Sequence, residues 1–488
     1  MSALKSLFKQ TFIYGIATVL PRMLSFLLVP LYTSENVLGS PAEYGTLSLI
    51  FSYFILFNVI LAYGMETAFF RFYAKEQDRD RVLGTAIISL LVSSILFFVM
   101  ALLLAEQIAS ITAIDVEYIR LVVWILFFDA LAIIPFAWLR AKTKAAVYAA
   151  IKLCNVAINL GLNLFFLLAL PKMSQTSGFF EGTYIVNFEI SYILWANIIA
   201  SGVTLLMLLP LYFKLKWRFD RHLWKRMISY AYPILIAGVA FSINETFDRV
   251  LLKALLPAEV ADTQIGMYSA CYKLALFMTL FATAFRLGVE PFFFSHATSA
   301  HPQNNYARIL ELFVAAGSSI LLIVVVFADL LKVVVIRSEA YWEAMWIVPI
   351  ILLANFFLGI YHNLSVWYKI TDRTHFGAVI SIIGAILTLI INVLFIPSFG
   401  FKASAIATLS AYAIMAGLSY ALGRRYYPIP YNMGKITGYL ALSTIFAVSS
   451  FYYFRDNYYF GITAIVVFLT AIYKFEKPSI SAILKSKR

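Results

Sequence analysis

A chain of 488 residues that is 62% hydrophobic and only 13% charged cannot fold as soluble domains, which carry about 25% charged residues to hold their surfaces in water. A mean hydropathy of +0.85 calls for lipid, so the net charge of +13 is read as a topology signal and not as a nucleic-acid footprint. The class that remains is an all-α polytopic membrane protein with about fourteen transmembrane helices.

Apolar runs of spanning length, taken in chain order, predict α1 over Phe12–Tyr32, α2 over Tyr44–Phe70, α3 over Leu83–Ala105 and α4 over Val116–Leu139. They continue with α5 over Ala146–Leu170, α6 over Ile190–Phe213, α7 over Met227–Leu256 and α8 over Ile265–Phe294. The last six are α9 over Ile309–Ala328, α10 over Ala344–Tyr368, α11 over Phe376–Ile396, α12 over Ala403–Leu422, α13 over Ile436–Phe454 and α14 over Phe460–Tyr473. The α1 run follows Lys5 and Lys9 but is too long for a secretory signal, contains Arg22 and lacks a small-residue cleavage site, so it is expected to be retained. The α14 run is the shortest.

Placing the N-terminus inside puts most of the 38 Lys and Arg at cytoplasmic helix ends, as the positive-inside rule requires. Lys214, Lys216, Arg218, Arg221, Lys225 and Arg226 crowd one loop, and Lys485, Lys487 and Arg488 close the chain. Both termini are therefore expected in the cytoplasm, with the basic loops facing anionic headgroups. Cys154 and Cys271 both fall within spans, which excludes a disulfide framework and leaves apolar packing as their role.

The sequence repeats itself. Gly64-Met-Glu66-Thr-Ala-Phe69-Phe70 in α2 recurs as Gly288-Val-Glu290-Pro-Phe-Phe293-Phe294 in α8. Trp138-Leu-Arg140 at the end of α4 is echoed by Trp367-Tyr-Lys369 at the end of α10, and Asn163 in α5 by Asn392 in α11. Three echoes at nearly constant offset point to duplication of a six-helix unit. An even number of helices gives the two copies the same orientation, which places a substrate site at their interface. The expected organisation is a six-helix lobe over 1–213, a second over 227–422, and α13, α14 and a short tail over 436–488, with a central cavity between the lobes.

Charges inside spans cost roughly 2.5–3.5 kcal/mol each, so each needs a partner or a watery cavity. Arg22 has no acidic residue within one helical turn, so a local pair does not account for it. Asp129 is likewise alone in α4. Glu245 with Arg249 and Arg286 with Glu290 are spaced to neutralise one another within a helix, and Lys273 is placed to snorkel. Glu66 is expected either to pair across helices or to cap a helix end, and spacing gives Asp248 no partner. No phosphate-cradling loop ending in Lys-Ser/Thr is present, and the five His show no metal-ligand spacing. Catalysis and cofactors are not expected, although an integral-membrane polymerase stays open as a reading of another class.

Gly15, Arg22, Pro30-Leu31-Tyr32 and Glu43-Tyr44-Gly45 resemble the opening of the bacterial polysaccharide-transport and O-antigen flippase family, and Pro233, Asp248-Arg249 and Gly266-x-Tyr268 are similar to the start of its second lobe. The resemblance spans most of the chain. It implies a fold shared with lipid II flippases and multidrug and toxin extrusion antiporters, and an undecaprenyl diphosphate-linked oligosaccharide carried across the bacterial cytoplasmic membrane by a monomer. Arg presents a fork suited to phosphate oxygens, so Arg22 is the expected diphosphate anchor, with Lys273 and Arg286 from the other lobe. Carboxylates buried at low dielectric can titrate, which makes Glu66, Asp129, Asp248 and Glu290 the candidates for coupling to H⁺ or Na⁺. Helix α1 holds one arginine where the lipid II branch gathers several cations in helices 1, 2 and 8, so lipid II is the second reading.

Overall fold

The computed structural model describes residues 23, 26–176, 181–295, 302–371, 373–455 and 457–486, with the side chains of 288, 290–295 and 477–486 left outside that description. Among the described residues, thirteen helices are long and apolar enough to cross a membrane. They are α2 (Pro41–Lys75), α3 (Arg79–Leu103), α4 (Val116–Ala141), α5 (Ala145–Thr176), α6 (Glu189–Phe213), α7 (Arg221–Leu255) and α8 (Ala258–Leu287). The rest are α9 (Pro302–Val326), α10 (Glu339–Ile370), α11 (His375–Phe399), α12 (Phe401–Tyr426), α13 (Met433–Tyr453) and α14 (Tyr458–Glu476). Most of the predicted α1, Arg22 included, lies outside the described residues.

Polar side chains start these helices just ahead of the apolar runs. Ser40 accepts from the Glu43 amide at 3.4 Å while Glu43 accepts from the Gly39 amide at 3.0 Å, with Pro41 in the first turn. Amides that a helix start leaves without partners are thereby satisfied. Asp78, Asp115 and Asp220 cap α3, α4 and α7 through amides at 3.0, 2.8 and 2.7 Å.

Several spans are not continuous α-helix. The sequence reading had α2 unbroken, but it runs as Pro41–Ala62 and Met65–Lys75, because Tyr63 (φ 32°) and Gly64 (φ 72°) turn left-handed. A Cβ at Gly64 would also lie 2.6 Å from the Ala231 carbonyl oxygen of α7, so both conformation and space demand glycine there. A π-turn interrupts α5 at Phe165–Ala169, and a 3₁₀ turn interrupts α8 at Lys273–Ala275.

The chain divides into two compact units, residues 1–266 and 267–488. Within the first, α7 lies along α2, and α6 packs on α4 and α5. Gly45 and Gly266 meet there: a Cβ on Gly45 would collide with the Asp262 carbonyl, and one on Gly266 with the Pro41 carbonyl. Small residues let membrane helices approach backbone to backbone. Gly45→Ala is therefore expected to lower the melting temperature by the equivalent of about 1–3 kcal/mol, as overpacking does. Gly161→Ala, whose added methyl meets nothing within 4 Å, is expected to leave it unchanged or higher. Differential scanning fluorimetry of the two variants checks the contrast.

In the second unit, α12 packs on α10 and α11, while α13 and α14 lie against α9. Two groups of charges fasten that last pair. At one end of α9, Arg455 donates to both oxygens of Asp329 at 2.8 Å, and Lys332 joins at 2.7 Å. At the other, Arg308, Glu311, Lys435, Tyr439 and Glu476 form one network. Burial alone would raise the Asp329 carboxyl, but the bonds from Arg455 and Lys332 outweigh it and hold it below its ordinary value of 3.8. A carboxyl lowered by folding stabilises the folded state above its unfolded value and loses that contribution as pH falls through the folded one. The melting temperature is therefore expected to drop as pH falls below about 4, and Asp329→Asn to flatten that part of the profile.

Candidate functional site

Among the described residues, polar side chains that the α9 network does not absorb gather within spans of both units. In the first, Ser201 of α6 donates to Asp129 Oδ1 of α4 at 2.8 Å. One turn further along the same faces, Asn155 of α5 donates to Thr204 Oγ1 of α6 at 2.9 Å. Lys152, one turn before Asn155, holds its ammonium 4.3 Å from the ring centre of Phe136 on α4. That ammonium interacts electrostatically with both Asp129 and Glu66. Glu66 itself pairs with Arg140 at 2.7 Å, and the Arg140 guanidinium lies over the Phe70 ring. Glu66 thus pairs across helices and also stands in the first turn of Met65–Lys75.

One partner of Asp248 is its neighbour. Arg249 Nη1 donates to Asp248 Oδ1 at 2.8 Å and to the Glu245 carbonyl at 3.2 Å, and both charged residues are buried. Lys253 makes a second pair with Asp262 at 2.7 Å.

In the second unit, Arg286 of α8 keeps its Nε buried without a hydrogen-bond partner among the described residues. His362 of α10 interacts electrostatically with Arg286 and with Lys369. Arg286 and Lys369 are thus both within electrostatic reach of His362, and the Arg286 guanidinium is the group suited to an anion there. Lys273 lies thirteen residues before Arg286, about 20 Å along α8, so the structure does not bring those two predicted cations to one place. The Glu290 side chain and Arg22 lie outside the described residues.

Sequence reading missed Lys152, His362 and Lys369 as site residues. Lys152 was open to detection: it stands seven residues inside the apolar run that starts at Ala145, too deep to be interfacial without reaching back. Nothing in the spacing shows that His362 and Arg286 interact, because they stand on separate spans.

Two asparagines of the sequence echoes make similar bonds. Asn163 and Asn392 are both fully buried. Each donates Nδ2 to the carbonyl four residues back, at 2.7 and 2.8 Å. Each also accepts a hydroxyl at Oδ1, from Tyr32 at 2.8 Å and from Ser404 at 2.7 Å.

A cavity of about 330 Å³ in the first unit, bordered by Tyr53, Phe57, Phe97, Leu104, Tyr118 and Leu126, is apolar and suits hydrocarbon, not phosphate. Among the described residues, no group of three His, Cys, Asp or Glu could hold a metal ion.

The family described as "Polysaccharide biosynthesis protein" matches residues 7–296. No curated protein matches the chain significantly in sequence. Among solved structures, the chain is similar to the lipid II flippase MurJ in an inward closed conformation, with TM-score 0.70 and 16% identity over 95% of this chain and 99% of that one. It is similar to an inward-facing multidrug resistance MATE family transporter of the MOP superfamily, with TM-score 0.64 and 12% identity over 88% and 96%. A MOP superfamily transporter from Pyrococcus furiosus gives TM-score 0.60 and 13% identity over 88% and 96%. At such identities the likeness shows the fold, and the fold is the one that the sequence resemblance implied.

Proposed function

Because this chain belongs to the polysaccharide biosynthesis protein family, we propose that it is a flippase that carries an undecaprenyl diphosphate-linked oligosaccharide from the inner to the outer leaflet for surface polysaccharide synthesis. The observation that carries the reading is the family match over residues 7–296 on a fold shared with a lipid II flippase. Family and fold point to a membrane transporter, which favours the flippase reading over the polymerase reading. In this proposal the lobes 1–213 and 227–422 alternate a central cavity between the two faces of the bacterial cytoplasmic membrane, with both termini inside. Residues 436–488 add the two extra helices, and the protein works as a monomer.

The diphosphate needs cations where it crosses low dielectric. Arg22 is the proposed anchor, with Arg286 and Lys273 as further contacts. The buried Arg286 Nε, without a hydrogen-bond partner among the described residues, supports a phosphate contact there. Coupling to H⁺ or Na⁺ falls first to Asp129, which interacts with Lys152 and Ser201. Glu66, Asp248 and Glu290 are secondary candidates, and the buried pairing of Asp248 with Arg249 weighs against it. The likeness to MurJ keeps lipid II as the second substrate reading.

Binding tests the diphosphate requirement. Undecaprenyl diphosphate-linked N-acetylglucosamine is expected to raise the melting temperature of the purified protein, and undecaprenyl monophosphate to raise it far less. Equal shifts from both lipids would count against a diphosphate site.

A further inference from the structure

We propose that Lys152 is a cation shared by Asp129 and Glu66 that passes the protonation state of Asp129 to the Met65–Lys75 segment of α2, which follows the left-handed turn of Tyr63 and Gly64. The proposal rests on the reading of Asp129 as the coupling carboxylate.

The geometry of α4 carries the inference. Asp129, Phe136 and Arg140 are spaced by seven and four residues, so they fall along one stripe of the helix, with Asp129 and Arg140 about 16 Å apart along its axis. Lys152 sits over the middle member of that stripe, Phe136, at 4.3 Å. From there its ammonium interacts electrostatically with both carboxylates, one fixed by Ser201 at 2.8 Å and the other by Arg140 at 2.7 Å. A face of Phe136 offers a resting place for a cation on either side, and the four-carbon stem of lysine gives the reach.

Charge arithmetic gives the consequence. Asp129, Lys152, Glu66 and Arg140 together are neutral when all four are ionised. A proton taken from water onto an Asp129 oxygen leaves Lys152 an ammonium with Glu66 as its remaining carboxylate. Glu66 then serves two cations, which loosens its hold on Arg140. Glu66 is the second residue of the Met65–Lys75 segment, which starts at the left-handed turn of Tyr63 and Gly64. A change at mid-helix in α4 therefore reaches the segment of α2 that begins at this break. When the proton returns to water, Lys152 is drawn back.

Among the described residues, apart from Met65–Lys75, the other charges of the elements packed on α4 stand at helix ends, Glu106 in the first turn of Ala105–Thr112 included. The charged residues of Pro41–Ala62, α3 and α6 all lie in their first three positions: Glu43, then Arg79, Asp80 and Arg81, then Glu189. On Met65–Lys75, Arg71 is turned over the Tyr230 ring of α7, and Lys75 closes the segment.

Infrared difference spectroscopy of the protein in lipid, titrated from about pH 4 to pH 10, reads the carboxyl band of Asp129, assigned by its loss in Asp129→Asn. Lys152→Met is expected to raise the titration midpoint by at least about one pH unit, a tenfold gain in proton affinity. Glu66→Gln, at a half-exposed position, is expected to lower it by a similar amount, because Lys152 then has a single partner. In the Lys152→Met background the Glu66→Gln shift is expected to vanish. If Lys152→Met does not fold, Lys152→Arg replaces it, and a midpoint that stays responsive to Glu66→Gln supports the shared cation. A midpoint indifferent to Glu66→Gln in the wild-type background overturns the proposal while leaving Asp129 as a coupling group. Absence of any band lost in Asp129→Asn overturns the coupling reading itself.

Discussion

Glu476→Gln is expected to release α13 and α14 from α9 and to cost about 3–5 kcal/mol, the scale of breaking a buried ion network by removing one partner. The carboxylate is 4% exposed. It accepts from Arg308 Nη2 at 2.6 Å and from the Tyr439 hydroxyl at 3.0 Å, and it pairs with Lys435. A glutamine has one acceptor oxygen in place of two and carries no charge. Arg308 and Lys435 would then share Glu311 alone, which lies 2.9 and 3.4 Å from them. Removing a cation as well should recover part of the loss, because the cost comes from charge left buried and not from lost contact area. The comparison is Glu476→Gln alone, Glu476→Gln with Lys435→Met, and Lys474→Ala as an exposed control, followed by thermal unfolding in detergent. A Glu476→Gln protein as stable as the control would show that the network contributes nothing.

Arg22→Ala is expected to abolish translocation, and Arg22→Lys to retain part of it. The sequence places Arg22 within an apolar run with no acidic residue within one turn, and an intramembrane arginine without a local partner is kept for a cavity or a ligand. Lysine supplies the charge but not the two-pronged geometry that matches phosphate oxygens. If Arg22 instead holds α1 in place, the alanine protein would be unstable or poorly inserted. Equal membrane abundance and equal melting temperature of both variants must therefore accompany the rate. A stable Arg22→Ala protein that translocates at the wild-type rate would remove Arg22 from the site.

Much of the architecture was legible because membrane helices announce themselves by length and apolarity. The spans α3, α4 and α6 start and stop within a few residues of where the runs predict, since Asp78 and Asp115 supply caps just before the first two. The break in α2 was signalled by Gly64, yet hydropathy alone carries no dihedral angle, and Ala62 and Met65 are apolar on either side. Contacts between spans were the harder part. Glu66 and Arg140 both stood in repeat motifs, but they are separated by 74 residues, and nothing in either motif says that they meet. Gly45 and Gly266 likewise belonged to the two stretches that carried the family resemblance, without any sign that their backbones touch. Asp248 found one partner at the adjacent position, which helix geometry disfavours, because the long arginine side chain wraps back along α7.

The most direct test of the account is translocation itself. The purified protein is reconstituted into vesicles with a fluorescent undecaprenyl diphosphate-linked N-acetylglucosamine in both leaflets, and a membrane-impermeant quencher is added outside. Translocation predicts that quenching proceeds beyond the outer-leaflet fraction toward completion, that it depends on the protein, and that undecaprenyl monophosphate lipid is not carried. Quenching that stops at the outer-leaflet fraction, with the protein folded and correctly inserted, would contradict a flippase of diphosphate-linked sugars.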